Sequence, residues 1–164
     1  MSIIQKKKTN PVQLLLKIPV PWVFILVYLL GVLLQQLFPV AIQSLELVSV
    51  LKISGKVLFA LGAIIASWSL FIFHKEHTTV IPGEMSKILV TKGPYSFTRN
   101  PMYVSLTLAY LGEAGILIQL WPVVVLPLMF VYLNRVVIPL EENLLKKVFE
   151  GDFTRYCTRV RRWI

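Results

Sequence analysis

The stretch Asn100–Asn134, NPMYVSLTLAYLGEAGILIQLWPVVVLPLMFVYLN, decides the fold, because it carries a single charged residue, Glu113. As one helix it would reach roughly 50 Å at 1.5 Å per residue, too long for one crossing of a ~30 Å hydrocarbon core. The breakers Gly112, Gly115 and Pro122 fall near its middle. The pattern therefore predicts a tight helical hairpin in lipid, Pro101–Leu117 followed by Trp121–Ile138.

Upstream, no residue from Ile18 to Leu45 is charged. That run exceeds the ~20 residues a membrane helix needs. It is also longer than the ~7–15 apolar residues of a signal peptide, and it ends in Phe38-Pro39-Val40 rather than at a small-residue cleavage site. It reads as a retained span over Pro21–Phe38. A further span is expected over Val50–Phe73, with Lys52 and Lys56 snorkelling to the interface. The segment His74–Arg99 is too polar to cross. The fold class is thus all-α: one integral-membrane domain, 1–164, with four transmembrane helices.

Composition agrees. The 164 residues are 56% hydrophobic and only 15% charged. Globular domains run at about a quarter charged. This excludes disorder and an ordinary soluble enzyme, and with Cys157 as the only cysteine it excludes a disulfide scaffold. The 17 Lys+Arg against 8 Asp+Glu give +9. Those positive residues cluster in three places: Lys6, Lys7, Lys8 and Lys17; Lys75, Lys87, Lys92 and Arg99; and Arg135 to Arg162. The positive-inside rule puts both termini and the middle loop in the cytosol, which explains the charge without nucleic acid. There is no internal repeat and no low-complexity tract.

Beyond the hairpin, Pro139 can open a helix, with Leu140, Leu144, Leu145, Val148 and Phe149 on one face and Gly151 at its end. Asp152 can cap a second short helix. Phe153, Tyr156, Val160 and Trp163 lie on one side of it, and Arg155, Arg159 and Arg162 on the other. The expectation is a cytosolic amphipathic tail lying on anionic membrane lipid.

Polar residues able to do chemistry are densest over Lys92–Tyr103, KGPYSFTRNPMY. Gly93-Pro94 makes a tight turn. Asn100 fits a helix N-cap and Pro101 the first helical position, where free N–H groups and the dipole favour an anion. Arg99 adds a forked, permanently charged donor, and Tyr103 lies one turn along on the same face. The same pattern is also met by a well-capped helix start with a snorkelling arginine. Glu141 and Glu142 fit first-turn acids, with Glu142 paired to Lys146.

These residues carry a resemblance. Gly93-Pro94-Tyr95, Arg99-Asn100-Pro101-Met102-Tyr103, Glu141-Glu142, Phe149-Glu150-Gly151-Asp152-Phe153, Tyr156 and Arg159-Val160-Arg161-Arg162-Trp163 resemble the isoprenylcysteine carboxyl methyltransferase family, which belongs with the phospholipid methyltransferases. The resemblance covers about residues 80–163. It implies an integral-membrane methyltransferase that uses S-adenosylmethionine and no metal. It implies catalytic roles for Arg99, Tyr103 and Glu142. It places the cofactor against Gly93, Pro94, Tyr95, Asn100, Pro101, Tyr103, Glu141 and Glu142. The family often has His where this chain has Asn100, and Asn cannot shuttle a proton near neutral pH.

A methyl group on a sulfonium is already activated, so the protein mainly holds two reactants in line, which is worth roughly 7–11 kcal/mol. The expected acceptor is a lipid-like or prenylated amphiphile at the cytosolic face. A carboxylate, as on isoprenylcysteine, needs no base. A lipid amine, with a pKa of ~10, must first lose a proton. The neutral bases nearby, His74 and His77, stand outside the matched motifs, which tilts the reading to the carboxylate, with a phospholipid amine as the alternative. Two further readings are a non-catalytic membrane protein, for which the spans hold few polar residues, and a sterol-reductase-like protein, whose relatives are much longer. His74 and His77 lack the further ligands a metal would want. Glu113 is expected at the outer turn, and Cys157 as a free thiol.

Overall fold

The computed structural model describes residues 19–76 and 88–164. Among the described residues every regular element is helical. Helix α1 is Val20–Leu37 and α2 is Leu45–Lys75. A 3₁₀ turn, Gly93–Ser96, precedes α3, Pro101–Leu117. Helix α4, Leu120–Tyr132, passes through a π-helical turn, Leu133–Val137, into α5, Ile138–Arg159. Lipid offers the backbone no partners, so a spanning segment must bond to itself, and a helix does so. Among the described residues three helices are long and apolar enough to cross: Val20–Leu37, Leu45–Lys75 and the continuous Leu120–Arg159. Helix α3, with 17 residues, is about 25 Å long.

Helix α2 starts earlier than the expected Val50. The Ser44 side chain accepts from Leu47 N at 3.2 Å, and Glu46 sits in the first turn, where the dipole favours it.

Helices α2 and α3 touch backbone to backbone. A Cβ on Gly112 would lie 2.6 Å from Phe59 N, one on Gly55 2.7 Å from Gly112 O, and one on Gly62 2.8 Å from Ser105 O. Gly55 thus faces Gly112 and Gly62 faces Ser105, so the two helices are antiparallel. Gly55, Gly62 and Ser69 are all buried and seven residues apart, which keeps one seam of small residues towards the partner. Gly112 and Gly115 thus lie inside α3 as packing positions rather than as breakers, and the turn falls between Leu117 and Trp121, as the sequence pattern predicts. The chain reverses at Ile118 in the left-handed region (φ 54°, ψ 47°) and Gln119, whose N–H donates to Ala114 O at 2.9 Å.

Helix α1 is held to α4 by a side chain from one helix capping the other. Gln35 Oε1 accepts from Leu120 N at 3.2 Å and Trp121 N at 3.3 Å, two of the N–H groups a helix start leaves free. Pro122 packs directly on Gly31. The core between α1, α3, α4 and the π turn is built on Phe24, Tyr28, Tyr110, Met129, Leu133 and Ile138. The ends of the bundle can be named from this: a hairpin end with Phe38 and Gln119, and a motif end with Lys75, Pro101 and Val137.

The tail departs most from expectation. Pro139 does not open a separate helix, because the chain stays helical from Leu120 onward. Proline lacks an N–H and crowds the carbonyl four residues back, and the wider π turn just before it accommodates both. The break expected at Gly151 falls at Glu150 (φ 40°, ψ −112°), after which the helix resumes to Arg159. The apolar side, Phe153, Tyr156 and Val160, packs on Leu89, Leu145 and Phe149, so it faces protein and not lipid. Arg155 and Arg159 remain exposed, but Arg162 is drawn inward to Glu142.

Gly112→Ala should lower the apparent melting temperature in detergent by an amount corresponding to about 1–3 kcal/mol, the usual cost of overpacking. Gly151→Ala, where a Cβ meets nothing within 4 Å, should change it by less than about 0.5 kcal/mol. Gln35→Leu should cost about 0.5–2 kcal/mol through the lost cap, read in the same assay.

Candidate active site

The matched motifs meet at the motif end. The apolar stretch that the sequence reads as a span ends near Ile138, and Glu141 and Glu142 follow it near the start of α5. Arg99 and Tyr103, one turn apart at the start of α3, reach that turn. Tyr103 OH donates to Glu141 Oε1 at 2.6 Å, and Arg99 Nη2 donates to Glu142 Oε1 at 2.9 Å.

The two carboxylates differ sharply. Glu142 spends both oxygens on arginines: Oε1 also accepts from Arg162 Nε at 3.1 Å, and Oε2 from Arg162 Nη2 at 2.6 Å. Lys146 is not its ion-pair partner, contrary to the helix-surface expectation. Burial pushes the Glu142 pKa up, but hydrogen bonds and charge from Arg162 and Arg99 outweigh this and hold it below the ordinary carboxylate range. Glu141 goes the other way. Burial raises its pKa and the neighbouring Glu142 adds to this, with the Tyr103 hydroxyl offsetting only part. Among the described residues Glu141 Oε2 has no partner. Tyr95 feels the charge of Glu141, and Tyr95 and Tyr132 lie within electrostatic reach of the Tyr103 hydroxyl. A carboxylate oxygen and several tyrosines thus share one small region.

Arg99 is committed to the protein. Its Nη1 donates to Val160 O at 2.8 Å and Cys157 O at 3.2 Å, the last carbonyls of α5. A cation at a helix C-terminus is favourable for the same reason an anion is at the N-terminus. Its Nε is buried without a partner. Asn100 stands at the cap position of α3, but its side chain makes no cap bond; Nδ2 donates to Arg162 O at 2.8 Å. Pro101 occupies the helix start as expected. Gly93, Pro94 and Tyr95 form the 3₁₀ turn. Gly93 takes φ 59°, and Pro94 and Tyr95 are buried. Tyr95 O accepts from Tyr156 OH at 2.6 Å, tying the turn to α5, and burial pushes the Tyr156 phenol up to about 12. Phe97 lies apart from this cluster, exposed against Trp68.

Sequence reasoning missed three residues here. Thr98 is fully buried, and its Oγ1 donates to Arg162 O at 3.2 Å. Asn134 Oδ1, in the π turn, accepts from Trp163 Nε1 at 3.0 Å. Tyr132 carries no local motif; a polar residue in an otherwise apolar span was the available signal for Asn134. His74 lies in the last turn of α2, and His77 lies outside the described residues. Among the described residues no three His, Cys, Asp or Glu side chains gather in a way that could hold a metal ion.

Comparison with known proteins now decides the family. The sequence matches the family model described as phospholipid methyltransferase over residues 50–152, well over half of the chain. The chain belongs to the phospholipid methyltransferase family. Its match includes Gly93–Tyr103 and the Glu141–Glu142 pair, the residues that converge at the motif end. It is also similar to the cobalt-zinc-cadmium resistance protein CzcN of Cupriavidus metallidurans, 37% identical over 79 residues. That stretch is 48% of this chain and 36% of the relative, so the chain spans only about a third of the relative's length. No solved structure matches.

The sign of the Glu142 shift sets a pH dependence. Its pKa is lower folded than unfolded, so its ion pairs stabilise the fold fully above the ordinary carboxylate value of ~4.3 and are lost as pH falls through the lowered one. The apparent melting temperature of this family member should therefore drop between pH 5 and pH 3 more in wild type than in Glu142→Gln, as measured by thermal unfolding across that range.

Proposed function

We propose that this membrane methyltransferase transfers a methyl group from S-adenosylmethionine to an amine on the headgroup of a lipid-like amphiphile, at the motif end. The observation that carries this is the division of charge. Arg99 and Arg162 both direct their guanidinium groups to Glu142, and among the described residues of this cluster Glu141 alone keeps a carboxyl oxygen without a partner. An anionic acceptor such as isoprenylcysteine would need a free cation there, and among the described residues both guanidinium groups of the cluster are committed. An amine suits Glu141 and the tyrosine faces beside it.

The residues fit the cofactor on the same grounds. An acceptor oxygen among tyrosines suits a positively charged molecule bearing hydroxyls, and Glu141 is the better placed of the two glutamates to meet it. When bound, S-adenosylmethionine supplies a methyl group already activated on positively charged sulfur. The chain's own part is positioning and proton handling. Tyr103 fixes Oε1 of Glu141 and leaves Oε2 to face a ligand. Before it can attack, a lipid ammonium with a pKa near ~10 must lose a proton, and a carboxylate whose pKa burial has raised is a better acceptor than an ordinary one. Four crossings with both termini in the cytosol accompany this reading. The antiparallel packing of α3 on α2 supports the fourth crossing, and the Lys/Arg distribution supports the orientation.

Isothermal titration of S-adenosylmethionine into detergent-purified protein, with transfer of labelled methyl into phosphatidylethanolamine vesicles, tests the proposal. Glu141→Gln should weaken binding or transfer by about ten- to a hundredfold, one charge-assisted hydrogen bond at roughly 1.5–3 kcal/mol. Absence of cofactor binding by the wild type, or methylation of a prenylated carboxylate but not of the amine, overturns the reading.

A further inference from the structure

The chain end, Val160–Ile164, leaves α5 and crosses the entry to α3 as an extended strap. Val160 packs in the apolar cluster with Phe153 and Tyr156, and polar bonds fasten the rest. Arg99 N donates to Arg161 O at 2.9 Å, while Thr98 Oγ1 and Asn100 Nδ2 both donate to Arg162 O. Trp163 Nε1 donates to Asn134 Oδ1, and the Trp163 ring packs on Phe130 with centroids 5.2 Å apart. At the centre stands Glu142, gripped by Arg99 from one side and Arg162 from the other. Three stretches far apart in sequence are thereby fastened at one point: the 98–100 segment, the first turn of α5 and the strap.

A residue that holds a ligand needs a free group to offer. Glu142 has both oxygens on arginines, both terminal nitrogens of Arg99 have protein acceptors, and Arg99 Nε is sealed from solvent. We infer that Arg99 and Glu142 are positioning residues, which together with Arg162 clamp the C-terminal strap over the start of α3 and so hold Glu141 against Tyr103. The inference rests on the reading of Glu141 given above. It separates the adjacent glutamates by role: Glu141 faces a ligand, and Glu142 holds the strap that keeps Glu141 in place. The sign of the charges matters as much as their number. Arg99 and Arg162 without Glu142 would repel each other across the strap, so the carboxylate is what permits two guanidinium groups to share the site. Lysine does not replace Arg99, because one ammonium cannot serve two backbone carbonyls and a carboxylate in the geometry of a planar fork.

The test uses the full-length chain in detergent, without cofactor for the first measurement. Hydrogen exchange is followed by mass spectrometry on peptides covering 98–103 and 158–164 in wild type, Arg162→Gln, Glu142→Gln, the double variant and Arg99→Lys. The expected result is exchange at least roughly tenfold faster in both peptides for each single variant, with the double variant little worse than either single, as for residues acting as one unit. Methyl transfer should fall in parallel with the loosening, and Arg162→Lys should recover part of both. If Arg99→Lys fails to fold, Arg162→Gln on the chain end decides the matter. Unchanged exchange in Arg162→Gln and Glu142→Gln overturns the inference. So does a Glu142→Gln protein that loses S-adenosylmethionine affinity with its strap still protected, because Glu142 would then touch the cofactor. A wild type that binds no S-adenosylmethionine defeats the functional reading, while the exchange data still decide the clamp.

Discussion

Glu142 between two arginines is the constraint on which the motif end depends. A carboxylate at the edge of hydrocarbon is costly unless its charge is balanced and its lone pairs are bonded, and the same holds for each guanidinium. Arg99 and Arg162 meet both needs with charge-assisted, forked hydrogen bonds. Because Arg99 also receives the last carbonyls of α5, one side chain ends a helix, neutralises an acid and anchors the chain terminus. Removing Glu142 leaves two guanidinium groups without their counter-ion, and removing either arginine takes away part of the bonding that holds Glu142 in place.

Beneath that cluster the bundle is held by different physics. Between helices in lipid there is no hydrophobic drive, since hydrocarbon tails are as apolar as leucine. Close approach is what remains, and α2 and α3 achieve it through Gly55, Gly62, Gly112 and Gly115. The other pair, α1 and α4, adds a polar device, with Gln35 satisfying backbone donors that lipid would leave bare. Both arrangements set the depth and rotation of α3 and α4. They therefore decide that Tyr103 points at Glu141, although they act at a distance from it.

The chemistry follows from the asymmetry between neighbours. Glu141 and Glu142 are consecutive on one helix, so they point in different directions. One meets a phenol and tyrosine faces, the other two cations. Burial raises the pKa of the first, and charge lowers that of the second. A pair of identical residues is thus divided into one carboxyl with an oxygen left without a partner among the described residues and another fixed in a salt bridge.

Much of the fold was legible in the sequence, because the membrane imposes a length and a polarity on every crossing. The uncharged runs predicted helices close to Val20–Leu37 and Pro101–Leu117, and the ordered motifs predicted which residues would matter together. Local signals failed where a contact made elsewhere overrode them. Gly112 and Gly115 read as breakers, since a lone sequence does not show the α2 backbone that needs their missing side chains. Pro139 and Gly151 read as a helix start and stop, but a π turn absorbs the first and Glu150 takes the break from the second. Phe153, Tyr156 and Val160 looked like a membrane-facing stripe, because periodicity reports an apolar face without saying what covers it. The sequence by itself determined that the chain is helical, that it is built for lipid and that its polar chemistry lies at one end. Only the tertiary structure decided which glutamate is free, because that depends on Arg162, twenty residues further along, folding back onto the helix that carries them.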